Sequence, residues 1–178
     1  MSNTSEEYDS IIKICTDIFT KKMKDYGSAW RILRTSSLTD QIFIKAKRIR
    51  SIEEKGFSKV DEGIRGEYIA IVNYCIMALV QLELGYDENT ELQEKECLTL
   101  YNKHFHASKS LMENKNHDYD EAWRDMRIAS ITDIILMKLF RVKQIEDNSG
   151  ATLISEGIDA NYRDILNYSV FAVILIRE

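Results

Sequence analysis

DYGSAWRILRTSSLTD, residues 25–40, is followed later in the chain by DYDEAWRDMRIASITD, residues 118–133. The second copy keeps the Asp, the Tyr, the Ala, the Trp, both Arg, one Ser, one Thr and the closing Asp at the same spacing, so the chain carries an internal repeat. Two segments that share a pattern of this length share a local fold, and every flanking stretch can be read against its partner.

Outward from the first copy, residues 5–24 place Tyr8, Ile11, Ile12, Cys15, Ile18 and Phe19 at steps of three and four, the period of an amphipathic helix. Lys21, Lys22 and Lys24 load its last turn, where cations suit the helix dipole. Gly27 and the serines of the quoted stretch predict a structured turn or short helical piece. Ser37-Leu-Thr-Asp40 and Ser130-Ile-Thr-Asp133 have the Ser-x-x-acid form of a capping box, which predicts that a helix starts there in each copy. A third helix follows in each unit, from about residue 59 to 84 and from about 152 to 176. Both carry E-G-I-x-x-x-Y-x-x-I-x-N-Y, as Glu62 to Tyr74 and as Glu156 to Tyr168. The offset between copies grows by one before this third helix, so a loop holds a single insertion. Between the units, GYDENTELQEKE reads as a linker, and Thr90-x-x-Gln93 as a capping box that opens a fourth long helix.

Composition agrees with this reading. The chain of 178 residues has no Pro and only 7 Gly, which favours uninterrupted helices over hairpins. The expected fold is all-α: two tandem three-helix repeats packed as one pseudo-two-fold helical bundle, with repeat 1 at about 5–84, a linker at about 85–89 and repeat 2 at about 90–178. Each unit alone is too small to cover its apolar face, so one domain of two halves is expected. A net charge of −5 with both signs interspersed gives no bulk attraction to nucleic acid or to an anionic membrane. The most apolar stretch, YIAIVNYCIMALVQL, carries Asn73 and is short for a bilayer span, so it reads as a buried helix. The three cysteines lack a CxxC spacing, and the N-terminus lacks a secretory pattern, so reduced thiols and a cytoplasmic location are expected.

No nucleotide-binding glycine loop, nucleophile elbow or zinc-protease helix occurs. Candidate chemistry comes instead from polar residues kept in both copies. Trp30 and Trp123, with Tyr26 and Tyr119, either anchor the packing between halves or stack on a nucleobase. Arg31, Arg34, Lys45 and Arg48 recur as Arg124, Arg127, Lys138 and Arg141. They either clamp phosphates or pair with retained acids such as Asp25, Asp40 and Glu53. Asp40 and Asp133 are accounted for as capping residues, whereas Asp25, Asp118, Glu62 and Glu156 have no local task. On the third helices, Glu62 with Asn73 and Glu156 with Asn167 lie nearly three turns apart, on one side. Glu67 in one copy and Asp164 in the other add a second carboxylate, each facing a neutral counterpart, Asn161 and Ala70. Such a row is either solvated or mutually hydrogen-bonded, or else a site for a hard cation such as Mg²⁺. Glu62, Glu67, Glu156, Asp164, Asp25 and Asp118 are the candidate metal ligands, and Glu62, Glu156 and Asp164 the candidate catalytic groups. His104, His106 and His117 read as surface or boundary residues.

The DYGSAWRILR, SLTDQIFIKAKRIR and KNHDYDEAWRDMR segments, with the E-G-I…N-Y helix, resemble a bacterial family of unknown function, DUF1599, named as nucleotide-modification-associated. The likeness covers nearly the whole chain, in a tandem form. More distantly, acids on successive helices are similar to those of the all-α nucleoside triphosphate pyrophosphatases of the MazG and dimeric dUTPase group. In those enzymes ExxE and ExxD pairs hold Mg²⁺ against a triphosphate. Neither copy here keeps both acids of an ExxD. The resemblance implies a nucleotide-handling protein that acts as a Mg²⁺-dependent pyrophosphohydrolase on a nucleoside triphosphate, or else a non-catalytic module that binds a nucleotide or other phosphorylated small molecule. A homodimer is compatible with both.

Overall fold

Six helices and two short 3₁₀ turns make up the computed structural model, which describes residues 3–56 and 63–176. Helix α1 spans Thr4–Tyr26, α2 Thr35–Lys55, α3 Ile64–Leu84, α4 Glu94–Tyr119, α5 Ile128–Asp147 and α6 Ile158–Leu175. The 3₁₀ turns, Ala29–Ile32 and Ala122–Asp125, are the Ala-Trp-Arg segments of the repeated stretch. The fold is all-α, with α1–α3 and α4–α6 as the repeated units.

The most apolar helices, α3 and α6, pack against each other at the centre, flanked by α2 and α5, with α1 and α4 across them. Helix α3 is long and apolar enough to cross a bilayer by length and composition, yet 67% of that window is buried inside the protein. A central core helix meets the same test. Reciprocal hydrogen bonds define the pseudo-two-fold relation. Tyr8 on α1 donates to Asn167 Oδ1 at 2.8 Å, and Tyr101 on α4 donates to Asn73 Oδ1 at 2.7 Å. Asn73 Nδ2 donates to the Cys15 carbonyl at 3.1 Å, and Asn167 Nδ2 to the Ser108 carbonyl at 2.9 Å. Thr39 meets Tyr162, and Thr132 meets Tyr68. Each of these buried polar groups finds its partner in the equivalent place, which offsets the cost of removing it from water. Burial raises the Tyr8 and Tyr101 phenols well above their ordinary range.

Several local expectations are corrected. Helices α2 and α5 start two residues before the Ser-x-x-Asp signatures, after Arg34 and Arg127, and no side chain caps them. Asp40 and Asp133 instead form cross-half ion pairs, Asp40 with Lys143 at 3.3 Å and Asp133 with Arg50 at 3.8 Å. Helix α4 likewise starts only after Gln93, without a side-chain cap. Helix α6 starts at Ile158, several residues later than its sequence pattern suggests, because Gly157 holds an extended conformation there. His104 is buried: its Nε2 lies 2.7 Å from Glu83 and its Nδ1 accepts from Arg163 at 3.4 Å, while burial lowers its pKa. The equivalent places in the first half are Ile11 and Ile69, an apolar pair. The three cysteines are free and buried, and burial raises the Cys15 thiol to about 12.

Candidate functional site

The connection from α1 to α2 bends sharply enough to turn the Trp of the repeated stretch back toward α3. A glycine with positive φ, Gly27 at 65°, follows α1, while the second half turns at the same place with a different backbone, Asp120 and Glu121 both left-handed at φ 51° and 58°. A cavity forms in each half between the end of the first helix, the 3₁₀ turn and the third helix. The first has a volume of about 640 Å³ and the second about 380 Å³.

The two cavities are built from the same positions. Lys22, Tyr26, Trp30, Lys45, Asn73 and Tyr74 line the first; Lys115, Tyr119, Trp123, Lys138, Asn167 and Tyr168 line the second. Both thus combine an indole, two phenols and two ammonium groups. The asparagines form part of the floor and are held by the core hydrogen bonds described above. Tyr26 and Tyr119 are exposed at the rims. Burial raises the Tyr26 and Tyr168 phenols, with smaller contributions from neighbouring negative groups. Both indole nitrogens, Trp30 Nε1 and Trp123 Nε1, are buried with no hydrogen-bond partner among the described residues.

The halves part company at three positions on the walls. In the second half, Asp164 is 5% exposed and takes both lysines, Lys115 at 2.7 Å and Lys138 at 3.0 Å. Partial burial alone would lower the Lys115 pKa, but the hydrogen bond and charge of Asp164 outweigh it and raise it. Phe171 stacks on Trp123 at 4.2 Å with the rings 3° from parallel, and the Arg124 guanidinium lies 4.6 Å from the same indole centre. In the first half these places hold Ala70, Met77 and Arg31. Among the described residues the ring contact of Trp30 is with Phe19, tilted, at 6.3 Å. Glu67, one turn before Ala70, lies 3.4 Å from Lys45 and 3.3 Å from Arg48.

The remaining candidates are placed as follows. Arg31, read as a phosphate ligand, is buried and donates to Gln81 and, at 2.7 Å, to the Gly85 carbonyl at the end of α3. Gln81 in turn donates to the Arg31 carbonyl at 2.9 Å and the Leu33 carbonyl at 2.6 Å. Arg124 is bound to Glu7 at 2.6 Å and to Glu121 at 3.3 Å. Both guanidiniums are thereby spent on joining helices. Arg34 and Arg127 are exposed and line neither cavity. Arg141 and Glu156 line a separate, broad groove beside the loop before α6. Asp25 and Asp118 are exposed, and Glu62 lies outside the described residues.

Among the described residues the Mg²⁺ ligand candidates do not converge. Glu67 and Asp164 sit in different halves, each neutralised by two cations, and among the described residues no three His, Cys, Asp or Glu side chains group to hold a metal. The described residues do not fit a divalent cation, because a metal would have to displace two bound cationic side chains from a lone carboxylate.

Lys22 and Lys115 were absent from the sequence-derived set. Their signal was available: each stands four residues before the repeated Tyr, on the same helix face.

The family DUF1599, described as nucleotide modification associated domain 1, matches residues 22–82 and 115–176. The chain belongs to this family and carries its domain twice. No curated protein and no solved structure matches the chain.

Proposed function

We propose that this member of a family associated with nucleotide modification binds a nucleotide, or a closely related phosphorylated small molecule, in the aromatic and lysine-lined cavity of its repeated unit. One observation carries the reading: the same cavity, with an indole, phenols and a lysine pair, occurs at equivalent places in both halves. An indole and phenols offer π-faces to a base, and ammonium groups offer charge to a phosphate. Lys45 and Lys22 are the phosphate-facing groups of the first cavity, and Trp30, Tyr26 and Tyr74 its base-facing groups.

The protein's own residues supply orientation and charge in this reading. The lysines neutralise an entering anion, and the asparagine and tyrosine floor holds the third helix in register. The described residues give no ligand set for a metal-assisted hydrolysis, which favours binding over phosphoryl transfer. The pyrophosphohydrolase reading needs Glu62 and Glu156 to complete a site that Glu67 or Asp164 begins.

Differential scanning fluorimetry against a panel of nucleoside mono-, di- and triphosphates, with and without Mg²⁺ and Mn²⁺, tests the proposal. A ligand at about a hundred times its Kd stabilises the folded state by about 2.7 kcal/mol, a readily measured rise in Tm. The rise should vanish in Lys45→Ala. A panel that leaves Tm unchanged would refute the reading. Metal-dependent product formation that is lost in Glu156→Gln would replace binding by hydrolysis.

A further inference from the structure

Building on the nucleotide-binding reading, we infer that the second cavity is a self-occupied copy of the site, narrowed to about 380 Å³ by the chain's own side chains standing where a ligand's ring and anion would lie, and that the first cavity alone takes ligand. We further infer that the ligand presents a planar ring and one anionic group. Phe171 lies flat on Trp123, where a base would stack. Asp164 sits between Lys115 and Lys138, where an anion would sit. Both residues come from α6, seven positions apart, which is two helical turns or about 10 Å along the axis.

The second half thus displays, in its own residues, a ring and a carboxylate separated by a gap that a sugar would bridge. Among the described residues, the first half lacks both plugs. Ala70 and Met77 stand in those places, both line the first cavity, and Arg31 is turned away to α3. Lys22 has no acidic partner among the described residues, and Lys45 shares Glu67 with Arg48. The larger volume of the first cavity agrees with the missing groups. Ala70 stands where the other half has a single carboxylate, and among the described residues no cluster of acids groups to hold a metal, so the ligand this comparison points to carries one anionic group, a nucleoside monophosphate rather than a metal-bound triphosphate.

The chain has two tryptophans, one in each cavity, so each indole reports its own site. Trp123→Phe leaves only Trp30 emitting, and Trp30→Phe leaves only Trp123. Quenching by iodide, an anion, is compared with quenching by neutral acrylamide at constant ionic strength. The ratio of the two constants reads local positive charge independently of exposure. For Trp30, Ala70→Asp should lower that ratio about two- to fivefold, since one unit charge at contact distance in water is worth about 1 kcal/mol. Lys22→Ala, at an exposed lysine, should lower it likewise. For Trp123, Asp164→Ala should raise the ratio by a similar factor, and Phe171→Met should raise both constants.

Trp30 ratios unaltered by Ala70→Asp and Lys22→Ala would overturn the open first site. A Trp123 ratio unaltered by Asp164→Ala would overturn the self-occupied second one. Neither result depends on the nucleotide panel, so failure of this inference is distinct from failure of nucleotide binding.

Discussion

The two cavities share a floor and differ in their walls. Beneath each, an asparagine on the third helix is fixed by a tyrosine from the opposite half and a backbone carbonyl of its own. Above, Ala70 faces Asp164 and Met77 faces Phe171 as equivalents. The asparagine floor kept in both halves serves the fold, because packing acts on each half alike. Under the proposed reading, what differs at the walls sets recognition, because a single ligand needs only one open site.

The sharpest way to break this comparison is through the floor. Asn73→Leu and Asn167→Leu each strand a buried tyrosine hydroxyl and a buried carbonyl, and each should cost about 2–4 kcal/mol in urea unfolding. The two costs should agree to within about 0.5 kcal/mol; a large difference would mean that the floors are not equivalent. Next come the walls. Asp164→Ala leaves Lys138, only 12% exposed at its side chain, without its acid and should cost about 1–3 kcal/mol. Ala70→Asp meets lysines that reach solvent more freely and should change stability by less than about 1 kcal/mol.

A smaller effect is expected at Gly66, a helical position lining the first cavity where an added Cβ meets nothing within 4 Å. Gly66→Ala should stabilise the protein by about 0.5–1 kcal/mol through lost unfolded-state entropy, a rise visible in Tm.

The smallest effect concerns a feature shared by both halves. Burial raises the pKa of Glu53 and of Glu146 above the ordinary 4.5, against the hydrogen bonds from Thr132 and Thr39. A raised folded-state pKa means that the folded protein holds the proton more tightly. The resulting stability is full below about 4.5 and is lost as pH rises through the folded value. The double variant Glu53→Gln with Glu146→Gln should flatten this fall in a series of melts from pH 4 to pH 7. An unchanged slope would show that these carboxyls do not carry it.

The fold was legible because the repeat, the absence of Pro and the helical spacing of apolar residues all constrain local backbone. Helix starts were less so: Ser37 and Ser130 carry the letters of a cap, yet the backbone had already turned helical at Thr35 and Ile128. The candidate site was legible in part. Trp30, Trp123, Lys45 and Lys138 do line the cavities, while Arg31 and Arg124, equally well repeated, are spent on Gln81, Gly85, Glu7 and Glu121. Spacing along a chain cannot say which partner a long guanidinium reaches, because three of these four, Gln81, Gly85 and Glu7, lie fifty or more residues away. Ala70 reads in the sequence only as the neutral counterpart of Asp164, and Met77 carries no signal there, for a different reason: a small or flexible apolar residue shows its meaning only when the cavity beside it is seen.

The most direct test of the inequality between the halves is a fluorescence titration of the two single-tryptophan proteins with nucleoside monophosphates. The expected result is saturable quenching of Trp30 at one ligand per chain, with Trp123 silent until Asp164→Ala and Phe171→Met are combined. Equal responses from both tryptophans, or two ligands bound per unaltered chain, would contradict it.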